Sequence, residues 1–120
     1  MTTYISSQTQ AEMDKISFEN FSKVDKKLNT VYKKILNIYK VDTSFIMNLK
    51  GSQRIWIRFR DAEVKMMYPD REPGYYGTIH PVCVSSYLEE LTQTRIDKLK
   101  KWLEDIKKSD GCSGSIKVNE

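Results

Sequence analysis

The sequence predicts an all-α protein: an antiparallel bundle of three long helices over about 9–40, 43–67 and 81–108, with a Pro/Gly/Tyr loop at 69–81 and a flexible C-terminal tail. Three observations carry that expectation. Of three prolines and five glycines, most fall between Pro69 and Pro81 or after Asp110, which leaves two long stretches nearly free of helix breakers. Within those stretches apolar residues step by three and four, the spacing of one helix face. With 120 residues, 39% of them hydrophobic, the chain suits one domain over 1–120, with 1–8 and 109–120 as frayed ends. A domain of this size buries roughly two-thirds of its unfolded surface.

The first helix begins near Thr9, where Thr9 and Glu12 have capping-box spacing, and its seam is Phe21, Val24, Leu28, Val31, Ile35 and Ile38. Asp42, Thr43 and Ser44 offer oxygens to cap a second helix after a short connection, so the two are expected to be antiparallel neighbours. The stripe of the second helix reads Ile46, Leu49, Gln53, Trp56, Arg60, Val64 and Met67, with two polar residues inside it. The segment PDREPGYYGTIHP is rich in turn formers. Beyond it, Val84, Leu88, Leu91, Arg95, Leu99, Trp102 and Ile106 form the third stripe, again with an inward arginine.

Net charge of +4 and a pI near 9.0 arise from lysines interleaved with acids, as in Lys98, Lys100, Lys101, Glu104 and Asp105. Such faces are ordinarily solvated. Nucleic-acid binding calls for clustered arginines beside aromatics, whereas two arginines here lie on inward stripes, so no specific nucleic-acid partner is expected. No window reaches the roughly 18 apolar residues of a membrane span, and Met1 to Gln10 is too polar for a secretory signal core, so neither a transmembrane segment nor a signal peptide is expected in this chain. Cys83 and Cys112 flank the third helix; at 1.5 Å rise per residue they lie some 35 to 40 Å apart along it, too far for an intrachain bridge. Two thiols are expected, and a bridge between chains stays open.

Buried arginines must be paired and hydrogen-bonded. Asp25 and Asn29 flank the seam residue Leu28, with Tyr32 a turn further on. Asp25 with Arg60 is therefore the expected ion pair, with Asn29, Gln53 and Thr92 completing its hydrogen bonds. Together with Trp56 and Arg95 these residues form a candidate polar network that holds helix register; a pocket open to a ligand is the alternative.

Catalytic constellations are scarce. His80 is the only histidine, which excludes a two-histidine metal site and leaves a Ser/His/Asp arrangement dependent on one loop residue. Glu89 and Glu90 are adjacent on a helix and do not resemble facing glycosidase carboxylates. GYYG lacks the strand and helix context of a phosphate loop. No enzyme activity, cofactor or metal is expected. Tyr75, Tyr76 and His80 remain as a candidate partner-binding loop, since adjacent tyrosines give rigid contact area. The other reading of the tyrosines is that they fold back over the end of the bundle.

The segments DKKLNTVY (25–32) and SQRIWIRFRDAE (52–63), then GTIHP (77–81) and LEELTQTRIDKL (88–99), resemble the N-terminal domain of the LprI-type lysozyme inhibitors, with patterns D..LN..Y, Q..W..[YF]RD and LT..R...L in that order. TQAEM (9–13) is similar to the start of that family's first helix, so the resemblance spans about Thr9 to Leu103. It implies a small helical protein of the bacterial envelope, periplasmic, secreted or lipid-anchored. Relatives commonly carry cysteines where this chain has Ile16, Val64 and Tyr87; their absence implies that Val64 and Tyr87 pack where a bridge would stand, and weakens the case for an oxidising compartment.

The expected partner is accordingly a protein, lysozyme or another cell-wall hydrolase, occluded by the 69–81 loop. Because most lysozymes are basic, the +4 charge opposes such an encounter unless an acidic patch such as Asp70, Glu72, Glu89 and Glu90 faces the target. A second reading is a structural or assembly module, monomer or homodimer, acting through an exposed helix face that includes Tyr39 or Trp102.

Overall fold

The computed structural model describes residues 9–104 and 111–118. Three helices make up the fold: α1 (Gln10–Ile38), α2 (Thr43–Met67) and α3 (His80–Leu99), the last tightening into a 3-10 turn over Lys100–Leu103. The starts follow local chemistry. Thr9 caps α1, its hydroxyl accepting from the Glu12 amide at 3.1 Å, and Asp42 caps α2 by accepting from the Phe45 amide at 3.2 Å. At α3 no side chain caps the helix, but Pro81 sits in its first turn, where its missing N–H costs nothing.

The third helix stops at Leu99, not near Lys108 as its periodicity predicts, and by Glu104 the backbone is extended. Leu99 is buried, and the 3-10 turn after it sets Trp102 against Tyr39 and Phe45. The part of the expectation that includes Ile106 lies outside the described residues, as do residues 1–8. The expected free tail also differs. Over residues 111–118, the Lys117 amide donates to the Tyr39 hydroxyl at 2.9 Å, Lys117 Nζ donates to the Ile38 carbonyl at 2.8 Å, and Trp102 Nε1 donates to Ser115 Oγ at 3.0 Å.

Cross-helix partners give the topology. Between α2 and α3 they run in opposite order: Gln53 with Arg95, Arg60 with Thr92, Glu63 with Tyr87. Tyr39 at the end of α1 meets Trp102 just past the end of α3, so α1 and α3 are parallel and α2 is antiparallel to both. The closest backbone approach is between α1 and α3. Ser85 and Thr92, both buried, supply the small side chains that closeness needs. The buried face of α3 is thus Ser85, Thr92, Arg95, Ile96 and Leu99; it shares Arg95 and Leu99 with the predicted stripe but is rotated away from Val84, Leu88 and Leu91, which are half-buried. The core is Leu28, Val31, Ile35 and Tyr39 of α1 against Leu49, Ile96 and Leu99, with Tyr39 taking the place expected of Ile38, which is exposed.

Candidate functional site

Two places combine polar groups with unusual surroundings: the inward arginines, and the connection between α2 and α3. Trp56 lies between the arginines, its ring 5.1 Å from the Arg60 guanidinium and 5.8 Å from that of Arg95. Arg60 Nη1 stands 3.5 Å from both Asp25 Oδ1 and Thr92 Oγ1, and the guanidinium also covers Phe21 at 5.7 Å. Its Nε is buried without a hydrogen bond. Gln53 does not join this group, because its amide oxygen accepts from Arg95 Nε at 3.0 Å; Asn29 is exposed and bonds to neither arginine. The expected single network is therefore two separate ones. About two turns separate Arg60 from Gln53 along α2, further than one amide side chain spans.

Arg95 is 9% exposed and rests on neutral oxygens, those of Gln53 and, at 3.2 Å through Nη2, Ser52. Burial pulls its pKa down, since desolvation disfavours the charged form.

In the connection, Pro73 and Gly74 make a turn with the Tyr75 amide donating to the Glu72 carbonyl; Gly74 at φ 83° occupies the left-handed position that such a turn reserves for glycine. Tyr76 folds inward. Its hydroxyl donates to the Pro69 carbonyl at 2.6 Å, its ring stacks on His80 at 4.6 Å, and it meets Tyr68 edge-on at 5.5 Å. Tyr75 remains 60% exposed, with the Arg71 guanidinium over its ring at 5.6 Å. The two rings still meet edge-on at 5.0 Å, but only Tyr76 folds back over the end of the bundle, while Tyr75 faces outward. His80 begins α3 and its Nδ1 is buried without a hydrogen bond.

Tyr68 escapes sequence reasoning. Standing immediately before Pro69, it packs edge-on against both Tyr76 and His80, and burial, with Cys83 beside it, pushes its phenol above the ordinary value. Its only signal was an aromatic residue at a helix end. The side chains of 68–77 and His80 surround a depression of about 210 Å³ that contains Asp70 and Glu72. Glu89 and Glu90 line a separate depression with Val24 and Gln93, so the four acids do not form one patch.

Tyr87 donates to Glu63 at 3.4 Å, next to Val64, and burial first, then this carboxylate, raise its phenol pKa. Cys83 is a half-buried free thiol near the start of α3, and Cys112 lies beyond the opposite end. Among the described residues no group of three or more potential ligands could hold a metal ion, and no helix is long and apolar enough to cross a membrane.

No curated protein matches the chain, and no solved structure does. A family model does, over residues 1–99, a span that takes in all three helices, both arginines and the aromatic connection. On that match the chain belongs to the lysozyme inhibitor LprI family.

Proposed function

We propose that this chain is a non-enzymatic protein of the bacterial envelope that blocks lysozyme or a similar cell-wall hydrolase by presenting the 69–81 connection to the enzyme's cleft. The observation that carries the reading is the division of labour between the two adjacent tyrosines. Tyr76, held by Pro69, Tyr68 and His80, fixes the backbone, and Tyr75 projects from it. A ring presented from a rigid base loses little entropy on binding, which favours occlusion of a cleft. Asp70 and Glu72 in the same segment put negative charge where a basic enzyme would approach, against the overall +4. Family membership supports a protein partner of this kind.

Turbidity assays of cell-wall lysis with several lysozyme types test it. Inhibition at micromolar concentration is expected from the native chain, with loss in Tyr75→Ser at unchanged helicity. Failure of the native chain against every type sinks the lysozyme reading.

A second reading, self-assembly, rests on the outer face of α2, where Ile55, Phe59 and Met66 recur at helical spacing and are 66%, 52% and 66% exposed. Tyr39, an earlier candidate for such a face, is 1% exposed and excluded from it; Trp102 is half-buried against Phe45. Light scattering that returns a monomer at high micromolar concentration, unchanged by Phe59→Glu, removes this reading.

A further inference from the structure

The helix pair that holds Arg95 also lines a second, partly open cavity, at the end of the bundle away from the 69–81 connection. Its volume is about 150 Å³, the size of an engineered protein cavity that accommodates one benzene ring. Phe45 and Leu49 of α2 and Leu99 and Trp102 at the end of α3 provide apolar walls, and Arg95 and Lys98 provide the charge. Among the described residues no carboxylate lines it.

Two features give the cavity a chemistry. Arg95 is nearly buried, yet none of the ion pairs among the described residues includes it; Gln53 and Ser52 satisfy Nε and one N–H of Nη2, and Nη1 has no hydrogen-bond acceptor among the described residues. Asp97, the nearest acid in sequence, is turned to Gln93, which donates to it at 2.9 Å. A buried guanidinium resting on neutral oxygens and one ring face keeps much of its desolvation cost, and a carboxylate brought to its open edge would recover part of it through charge-assisted hydrogen bonds. The walls, meanwhile, have room for an apolar group, and the polar groups beside it are this edge, Lys98 one turn further along α3, and the neutral side chains of Asn48 and Ser52.

We propose that this cavity binds a small free carboxylate carrying an apolar or aromatic body, with the carboxylate on Arg95 and Lys98 and the body against Phe45, Leu49, Leu99 and Trp102. This site is separate from the loop proposed for a hydrolase, so the two readings stand or fall independently. Trp102 reports on occupancy: its ring forms a wall while its Nε1–H, bonded to Ser115, gives a resolved proton signal.

The full chain is titrated with phenylacetate and, in parallel, with the isosteric neutral phenylacetamide, following the indole N–H signal of Trp102 and backbone amides by NMR. Phenylacetate is expected to shift the signals of 45–52 and 95–102 saturably, with the amide at least about tenfold weaker, the difference one charge-assisted contact makes. Arg95→Met is expected to erase the preference for the carboxylate. Lys98→Gln, at an exposed position that leaves folding untouched, should reduce it several-fold, which keeps the test decisive if Arg95→Met fails to fold. Equal binding of acid and amide, an unchanged preference in Lys98→Gln together with Arg95→Met, or binding only of a peptide with a C-terminal phenylalanine and not of phenylacetate would each overturn the proposal.

Discussion

Arg60 and Arg95 occupy equivalent-looking places on inward helix stripes, and the protein treats them differently. Arg60 has two carboxylates within reach, Asp25 at 3.5 Å and its neighbour Asp61 at 3.7 Å, a hydroxyl, and two aromatic faces; Asp25 is 43% exposed, so that pair is half-solvated. Arg95 has no carboxylate partner among the described residues, and two neutral oxygens hold it beside an open cavity. The difference teaches that an inward arginine on a helix stripe does not identify an ion pair. Whether a partner is present depends on what the neighbouring helices offer at that level, and at the level of Arg95 they offer an amide, a hydroxyl and a space.

The largest effect expected is on the element the two arginines share. Trp56→Ala removes the ring between both guanidiniums and should lower unfolding free energy by about 3 kcal/mol in urea titrations. A loss under about 1 kcal/mol would mean that the two sites do not depend on a common wall. Next, a double-mutant cycle with Asp25→Ala and Arg60→Met should return a coupling of about 0.5–1 kcal/mol, the range of a partly exposed pair. Zero coupling would mean that Asp25 does not hold Arg60 and would reduce the contrast to the neighbouring Asp61.

Smaller still is the expected change for Gln53→Leu combined with Arg95→Met, which replaces a buried polar pair without leaving either partner unsatisfied. Its stability should lie within about 1 kcal/mol of the native chain, whereas Gln53→Leu alone should cost more because Arg95 loses its best acceptor. The reverse ranking would show that Arg95 is held by something other than Gln53. Least in size is a pH effect at the loop end. The Tyr87 phenol is raised in the folded chain, so its contribution is fully present below the unfolded value of about 10 and is lost as pH climbs through the folded one. The alkaline fall in stability should therefore be shallower in Tyr87→Phe, measured by thermal melts from pH 9 to 11.

Much of this architecture was legible beforehand. Thr9 and Asp42 cap where their spacing places them, and the seam Leu28, Val31, Ile35 is buried. Asp25 and Arg60 meet, as the position of Asp25 beside Leu28 implies. Other features were not legible. Gln53 shares a stripe with Arg60 yet serves Arg95, since stripe membership describes a face and not a height against the next helix. Tyr68 and Tyr76 came together across a turn whose path depends on Gly74, and periodicity is silent about loops. The docking of 111–118 depends on Tyr39, Trp102 and Ser115 converging from three distant parts of the chain.

By itself, then, the sequence determined that there are three helices, where the first two begin and end, and which face of α1 avoids water. Those properties follow from hydrogen bonds and side-chain spacing within a few residues. Only the tertiary structure decided that α1 and α3 are the close, parallel pair, that Arg60 has a carboxylate and Arg95 does not, and that a cavity remains beside the latter. Each of these depends on the rotation and axial offset of one helix against another. Side-chain volumes such as those of Ser85, Thr92 and Trp56 set them across the core, and no local pattern records them.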